Sequence, residues 1–250
     1  MKKILTLTLT LVLTFSLSAQ TYDFIDSDWR RLGKDERGLS FSPNQVKAFM
    51  PSGEAVPFQD VIGYLMNIDY SYGLYVDSEN NPVALVFEAA TEEEKAAKIK
   101  MYENFKGSDF MMKEQAPDFS LKDLEGDEFT LSEFEGEYVM LNFWFVGCKP
   151  CIMEIPELNE LVEEFESKGI HFVAVGLDNA DKTDNFLKTK MPFNYRLLPN
   201  GRKVSKLYGV TSYPTHLLLD KKGKVIFSQQ GYFPGLKHAL RKRLLDAAED

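Results

Sequence analysis

The chain has 250 residues, 44% of them hydrophobic, with 38 acidic against 29 Lys and Arg residues and a formal net charge of −9. That length suits two modest domains rather than one, and the hydrophobic fraction is that of an ordinary globular protein. An acidic balance of this size disfavours nucleic acid and anionic membrane surfaces as partners.

Taken in chain order, Met1-Lys2-Lys3, the apolar run Ile4 to Leu17 and the small residues Ser18-Ala19-Gln20 have the layout of an export signal over residues 1–19. The run is interrupted by threonines and is too short for a comfortable membrane span of about 20 residues. No cysteine follows it, so no lipid anchor is expected. The expected location is therefore outside the cytoplasm, in the periplasm or cell envelope of a bacterium, where disulfides form and persist.

Residues 20–112 read as a small α+β N-terminal domain without repeats or low-complexity tracts. Val46–Phe49, Gly73–Val76 and Val83–Phe87 have strand composition, the last two joined by the turn-rich Asp77-Ser78-Glu79-Asn80-Asn81-Pro82. Thr91 to Phe105 is predicted as a helix, with Thr91 and Glu94 spaced as a capping box and Gly107 placed to end it. The seam is expected near Gly107-Ser108-Asp109, which leaves 113–250 as a second domain.

From about residue 116 strands and helices alternate, which predicts an α/β fold with a central sheet flanked by helices. Tyr138–Phe145, His171–Leu177 and Tyr195–Leu198 read as strands. The helices are Cys148–Ser167, Asp181–Lys190 and Gly201–Tyr208. His216–Asp220 and Val225–Gln230 form a hairpin around Lys221-Lys222-Gly223-Lys224, and Gly235–Ala248 is the last helix.

The two cysteines of the chain, Cys148 and Cys151, lie at i and i+3 directly after the first of these strands and at the start of a helix. Such a pair can close a small disulfide ring. The free N–H groups and the dipole of the helix N-terminus favour a thiolate, and Lys149 adds a positive charge. Structural zinc would need four ligands, whereas three His and two Cys stand here at no ligand spacing. A structural disulfide more usually closes a longer loop, and two inert buried thiols are the remaining reading. The strand-to-helix setting favours redox chemistry.

Phe143-Trp144-Phe145-Val146-Gly147-Cys148-Lys149-Pro150-Cys151, together with Val210-Thr211-Ser212-Tyr213-Pro214-Thr215, resembles the thioredoxin superfamily. More narrowly the chain is similar to the TlpA/ResA-type exported thiol–disulfide oxidoreductases. Ala116-Pro117-Asp118-Phe119, Gly126, Leu141-Asn142 and Glu154-Ile155-Pro156 fit the same pattern, and the likeness spans about residues 113–250. It implies a thioredoxin-like fold and an enzyme that reduces or isomerises protein disulfides by a dithiol/disulfide cycle, without metal or organic cofactor. The partners implied are protein thiol and disulfide substrates and a membrane thiol electron donor.

By the same resemblance Cys148 is the attacking thiol, Cys151 the resolving thiol and Pro214 a cis-proline facing them. Tyr213, Pro214, Thr215, Gly147 and Lys149 are the candidate substrate-binding residues. Many thioredoxins carry an aspartate six residues before the first cysteine, where this chain has Asn142, which cannot titrate. Glu154, one helical turn after Cys151, is the alternative proton acceptor. Gly147 replaces the tryptophan common in the family, so substrate preference does not carry over. His216 is placed either at the site or in the core.

Two other functions compete. A peroxiredoxin-like thiol peroxidase shares the Ala-Pro-Asp-Phe opening but requires a Pro-x-x-x-Thr-x-x-Cys motif, and Leu141 and Phe145 stand at its Pro and Thr positions. A partner-binding module of the envelope would use residues 20–112 to grip its partner, with the thioredoxin-like part carried along.

Overall fold

The computed structural model describes residues 22–33 and 46–250. The expected export signal lies outside the described residues. By compactness the described residues divide into two units, one within 22–62 and 72–88, the other of Gly63–Ser71 and Ala89–Asp250.

The first unit is built on a four-stranded sheet in the order β1-β3-β4-β2, from β1 (Arg30–Arg31), β2 (Lys47–Phe49), β3 (Tyr70–Val76) and β4 (Pro82–Ala89). Strands β3 and β4 are joined by a turn in which the Asp77 carboxylate accepts the N–H groups of Glu79 and Asn81, and Asn80 takes φ 63°. This is the local hydrogen bonding that favours Asp and Asn in turns. Tyr75, Ala84 and Val86 form its buried core, with Tyr22, Phe24, Trp29 and Phe49 packed against them. Two elements have no counterpart in the sequence reading: the two-residue β1, and helix α1 (Phe58–Met66). Most of α1 is exposed, and only Val61 in it is buried, although Phe58, Val61, Ile62, Leu65 and Met66 recur at helical spacing, so the signal for this helix is present in the sequence.

In the second unit, five strands follow the order β11-β10-β7-β8-β9. They are β7 (Tyr138–Trp144), β8 (Ile170–Gly176), β9 (Arg196–Leu198), β10 (Thr215–Leu219) and β11 (Val225–Gln230). β7, β8 and β9 run parallel, and β10 runs antiparallel to both of its neighbours, β7 and β11. A separate hairpin pairs β5 (Ser120–Lys122) with β6 (Glu128–Thr130), both too short to read from the sequence. The helices are α2 (Glu92–Glu103), α3 (Lys149–Phe165), α4 (Ala180–Thr189), α5 (Arg202–Leu207) and α6 (Leu236–Ala248). The mixed α/β class and the flanked central sheet are as expected.

All seven residues of β7 are buried, as a central strand covered on both faces requires. Its alternate side chains divide between two cores. Val139, Leu141 and Phe143 join Leu217, Leu219, Val204 and Tyr208, while Met140 and Trp144 join Leu218 and residues of α3 and α6. The period of two therefore sends Asn142 of β7, and His216 of β10 opposite it, toward the face that α3 covers.

Helix α2 starts with the capping box expected at Thr91 and Glu94. The compact division nevertheless places α2 in the second unit, not with the N-terminal strands as the seam near Gly107 implies. Tyr102 is the reason. It is buried, its hydroxyl donates to the Met66 carbonyl, and its ring meets Phe233 with 5.8 Å between centroids. Lys98 donates to the carbonyls of Leu65, Asn67 and Tyr70, in the Gly63–Ser71 segment that the same division gives to the second unit.

A Cβ at Gly235 would lie 2.3 Å from the Tyr102 ring, whereas one at Gly63, inside α1, would meet nothing. Gly235→Ala should therefore lower the unfolding free energy by about 1–3 kcal/mol, and Gly63→Ala should raise it by about 0.5–1 kcal/mol. Urea unfolding of the two variants checks both signs.

Candidate active site

The site is built at the end of β7. After Trp144 the chain turns through Phe145, Val146 and Gly147, the last at φ +98°, and enters α3 with Cys148 as its N-cap. Gly147 suits this left-handed conformation because it has no Cβ; it is exposed, and a Cβ there would meet nothing. Lys149 and Pro150 begin α3, and proline is tolerated there because the first helical N–H groups have no partner inside the helix.

Cys148 and Cys151 are joined in a disulfide. The Cys148 N–H donates to the Phe145 carbonyl at 3.1 Å, and the Cys151 N–H points at the Cys148 sulfur at 3.3 Å. A thiolate formed at Cys148 would receive that N–H together with the positive end of the helix. Of the two, Cys148 is the more accessible, at 5% against 2% exposed.

The turn is held from the side by Asp178, which sequence reasoning missed. Its carboxylate accepts the Val146 N–H and the Lys182 ammonium, each at 2.7 Å. Nothing in the sequence signals this, because Asp178 follows β8 and meets residue 146 only through the parallel pairing of β7 with β8.

Beneath the disulfide, Glu154 is 1% exposed. Its Oε1 accepts the Asn142 side-chain N–H, and its Oε2 lies 3.1 Å from His216 Nε2. Asn142 and His216 are equally buried, and each keeps one polar atom, Oδ1 and Nδ1, without a partner. The structure thus brings His216 to the site as a partner of Glu154. Burial followed by the charge of Glu154 pushes the Tyr195 phenol well above its ordinary range. Burial, with the charges of Glu157 and Glu154, raises Tyr232 to about 12. Burial, partly offset by Lys237 and reinforced by Glu160 and Glu154, raises the carboxyl of Glu157 to about 7.

The Tyr213–Pro214 peptide is cis and Pro214 is buried, its carbonyl accepting the Gly231 N–H at 2.7 Å. Tyr213 is half-buried. Its ring meets Phe145 edge-on at 5.5 Å, which links this loop to the cysteine turn, and its hydroxyl pairs with Ser205. Thr215 is fully buried with its hydroxyl on the Ser212 carbonyl, so its side chain is turned inward. Lys149 is exposed. Among the described residues, no group of three His, Cys, Asp or Glu side chains is arranged to hold a metal ion.

The chain is similar to known proteins in sequence and in fold. Residues 112–228 match the model of the AhpC/TSA family. Over 121 residues the chain is 40% identical to a thiol–disulfide oxidoreductase ResA of Bacillus thuringiensis subsp. konkukian, covering 47% of this chain and 68% of that protein. The chain belongs to the ResA-type thiol–disulfide oxidoreductase family. It is also 36% identical over 115 residues to the thioredoxin-like protein YneN of Bacillus subtilis, covering 45% of this chain and 67% of that one. Among solved structures, a putative thiol:disulfide interchange protein DsbE from Chlorobium tepidum is similar, at 34% identity and TM-score 0.50 over 54% of this chain and 95% of that one. The family likeness falls on the second unit, which carries both cysteines and Glu154.

Two predictions follow from the buried cluster of this family member. Removing one partner of a buried polar pair leaves the other uncompensated, so His216→Leu should cost about 3 kcal/mol of unfolding free energy. The same change in a Glu154→Gln background should cost less, and urea unfolding of the four proteins measures the coupling. The second concerns Glu157. Its folded form keeps the proton up to about pH 7, while the unfolded chain releases it near the ordinary carboxyl value of 4.5. Between these values the folded state binds more protons, so stability falls as pH rises through that window. Glu157→Gln should remove that part of the decline, seen as a stability difference from the parent that grows from pH 4.5 to 7 and then levels off.

Proposed function

We propose that the protein is an exported enzyme that reduces or isomerises protein disulfides through a dithiol/disulfide cycle of Cys148 and Cys151. The observation that carries the reading is the Cys148–Cys151 disulfide at the N-terminus of α3 with the buried Glu154 carboxyl one turn further on. A pair so placed can switch between a closed disulfide and two thiols with the helix in position for both.

In the reducing direction, the Cys148 thiolate attacks one sulfur of a substrate disulfide. The substrate S–S bond breaks, a mixed disulfide forms with Cys148, and the departing substrate sulfur leaves as a thiolate that takes a proton from water. Cys151 then gives its proton to Glu154 and attacks the Cys148 sulfur. The Cys148–Cys151 bond forms, and the second substrate sulfur leaves with the bonding electrons. The substrate gains two electrons and the enzyme is left oxidised. Glu154 suits the proton-accepting step because its carboxyl is buried on α3 one helical turn after Cys151. The cis peptide before Pro214 is assigned the backbone contact to the substrate chain, with Tyr213, Gly147 and Lys149 around it.

Residues 1–19 are assigned as the export signal, the N-terminal sheet as a domain of separate task, and 113–250, on which α2 packs, as the redox domain. A thiol donor at the membrane is assigned the return of electrons, which an oxidising compartment does not supply. The peroxidase alternative lacks a threonine and proline at the positions of Phe145 and Leu141.

Reduction of insulin with dithiothreitol as electron source tests this reading. The parent should accelerate it and Cys148→Ser should abolish the acceleration, since only the more accessible thiol can begin exchange. Glu154→Gln should slow turnover about 100-fold near pH 7, with the deficit shrinking as pH rises and the resolving thiol ionises unaided. Full activity in Cys148→Ser, or a pH–rate profile unchanged in Glu154→Gln, would contradict the assignments.

A further inference from the structure

Two adjoining depressions in the surface share Leu177 and Arg202 as a common wall. The first is lined by Asp178, Lys182 and Lys203, the second by Ser205, Lys206 and Tyr213. One end of this groove is tied to the turn by the hydrogen bond from the Val146 N–H to Asp178. The other end is Tyr213, which precedes the cis-proline and touches Phe145. At Gly147, beside Cys148, no side chain rises over the approach.

The charge of the groove is opposite to that of the protein. Arg202, Lys203 and Lys206 are exposed, and among the described residues none has an acidic partner. Asp178 is the sole acid in the lining, and its two oxygens are already occupied by Lys182 and the Val146 N–H. The chain as a whole carries −9. Three exposed cations without an acidic partner line a concave surface joined to the cysteine turn through Asp178 and Tyr213, and on an otherwise acidic protein they offer a complementary surface to an acidic ligand.

We propose that this groove receives an acidic stretch of the polypeptide whose disulfide is exchanged, with carboxylates near the cystine set against Arg202, Lys203 and Lys206. The proposal rests on the redox reading above and adds the substrate class to it. Exposed charges of this kind act chiefly on the rate of encounter and are screened by salt, with a Debye length of about 10 Å at 0.1 M.

The test uses pre-reduced protein and two disulfide-linked reporter peptides of equal length, one with Glu and one with Gln flanking the cystine. Single-turnover rates give an acidic-to-neutral ratio for each protein, which cancels any general loss of activity in a variant. The parent should favour the acidic peptide by about tenfold at low ionic strength, and the preference should fade in 0.5 M salt. In R202E/K203E/K206E the ratio should fall below one, and in R202Q/K203Q/K206Q it should approach one. Equal rates for the two peptides with the parent, or an acidic preference that survives in both variants, would overturn the proposal while leaving the redox reading intact. If the parent reduced neither peptide, the redox reading would fall and the proposal with it.

Discussion

The carboxyl of Glu154 constrains the arrangement of everything near the disulfide. An ionised carboxylate almost without solvent access costs several kcal/mol unless polar partners replace its water. Here the replacements come from the central sheet, as Asn142 on β7 and His216 on β10, which are register partners across an antiparallel ladder. The carboxyl on α3 can be satisfied only if the helix sits over that pair. The same seating puts the N-terminus of α3, with Cys148 and Cys151, at the end of β7. The apolar face of α3, from Ile155 to Phe165, supplies the packing that holds it there.

From that seating the chemistry follows by short steps. The helix start offers an N–H to the outer sulfur, the Asp178 carboxylate fixes the turn before it, and the cis-proline loop is drawn alongside by the contact of Tyr213 with Phe145. Asn142 and His216, the two residues that hold Glu154, each keep one buried polar atom without a partner. A site that must pass a proton between a thiol and the interior gains from groups that are not locked into complete hydrogen-bond networks. That gain is set against stability, since each unmet group is costly to bury.

Much of the second unit was legible in the sequence because its signals are local. Strong apolar strands, the capping box at Thr91 and the hairpin around Gly223 each announce themselves within a few residues. The cysteines were legible as a pair because i and i+3 at a helix start has few other uses. What the sequence hid depends on long-range pairing. Whether His216 faces α3 or the opposite core is decided by the register of β10 on β7, and Asp178 reaches the cysteine turn across β8. Strands β1, β5 and β6, of two or three residues, have no periodicity to read, whereas the apolar stripe of α1, Phe58, Val61, Ile62, Leu65 and Met66, is legible at helical spacing although part of it lies on the surface. The seam was placed by the glycine and proline punctuation around 107–117, but Tyr102 and Lys98 tie α2 to the second unit by contacts with Met66, Leu65 and Phe233 that no local pattern reveals.

The central claim is that Cys148 is the sulfur that meets the substrate and that Cys151 resolves the bond. The most direct measurement is to mix pre-reduced Cys151→Ser protein with a disulfide-containing protein at neutral pH, quench with acid and map the products by mass spectrometry. The account predicts a stable mixed disulfide on Cys148 that accumulates to near one equivalent, whereas Cys148→Ser with Cys151 intact gives little or none. Equal adducts at both positions, or adduct formation at Cys151 alone, would contradict it.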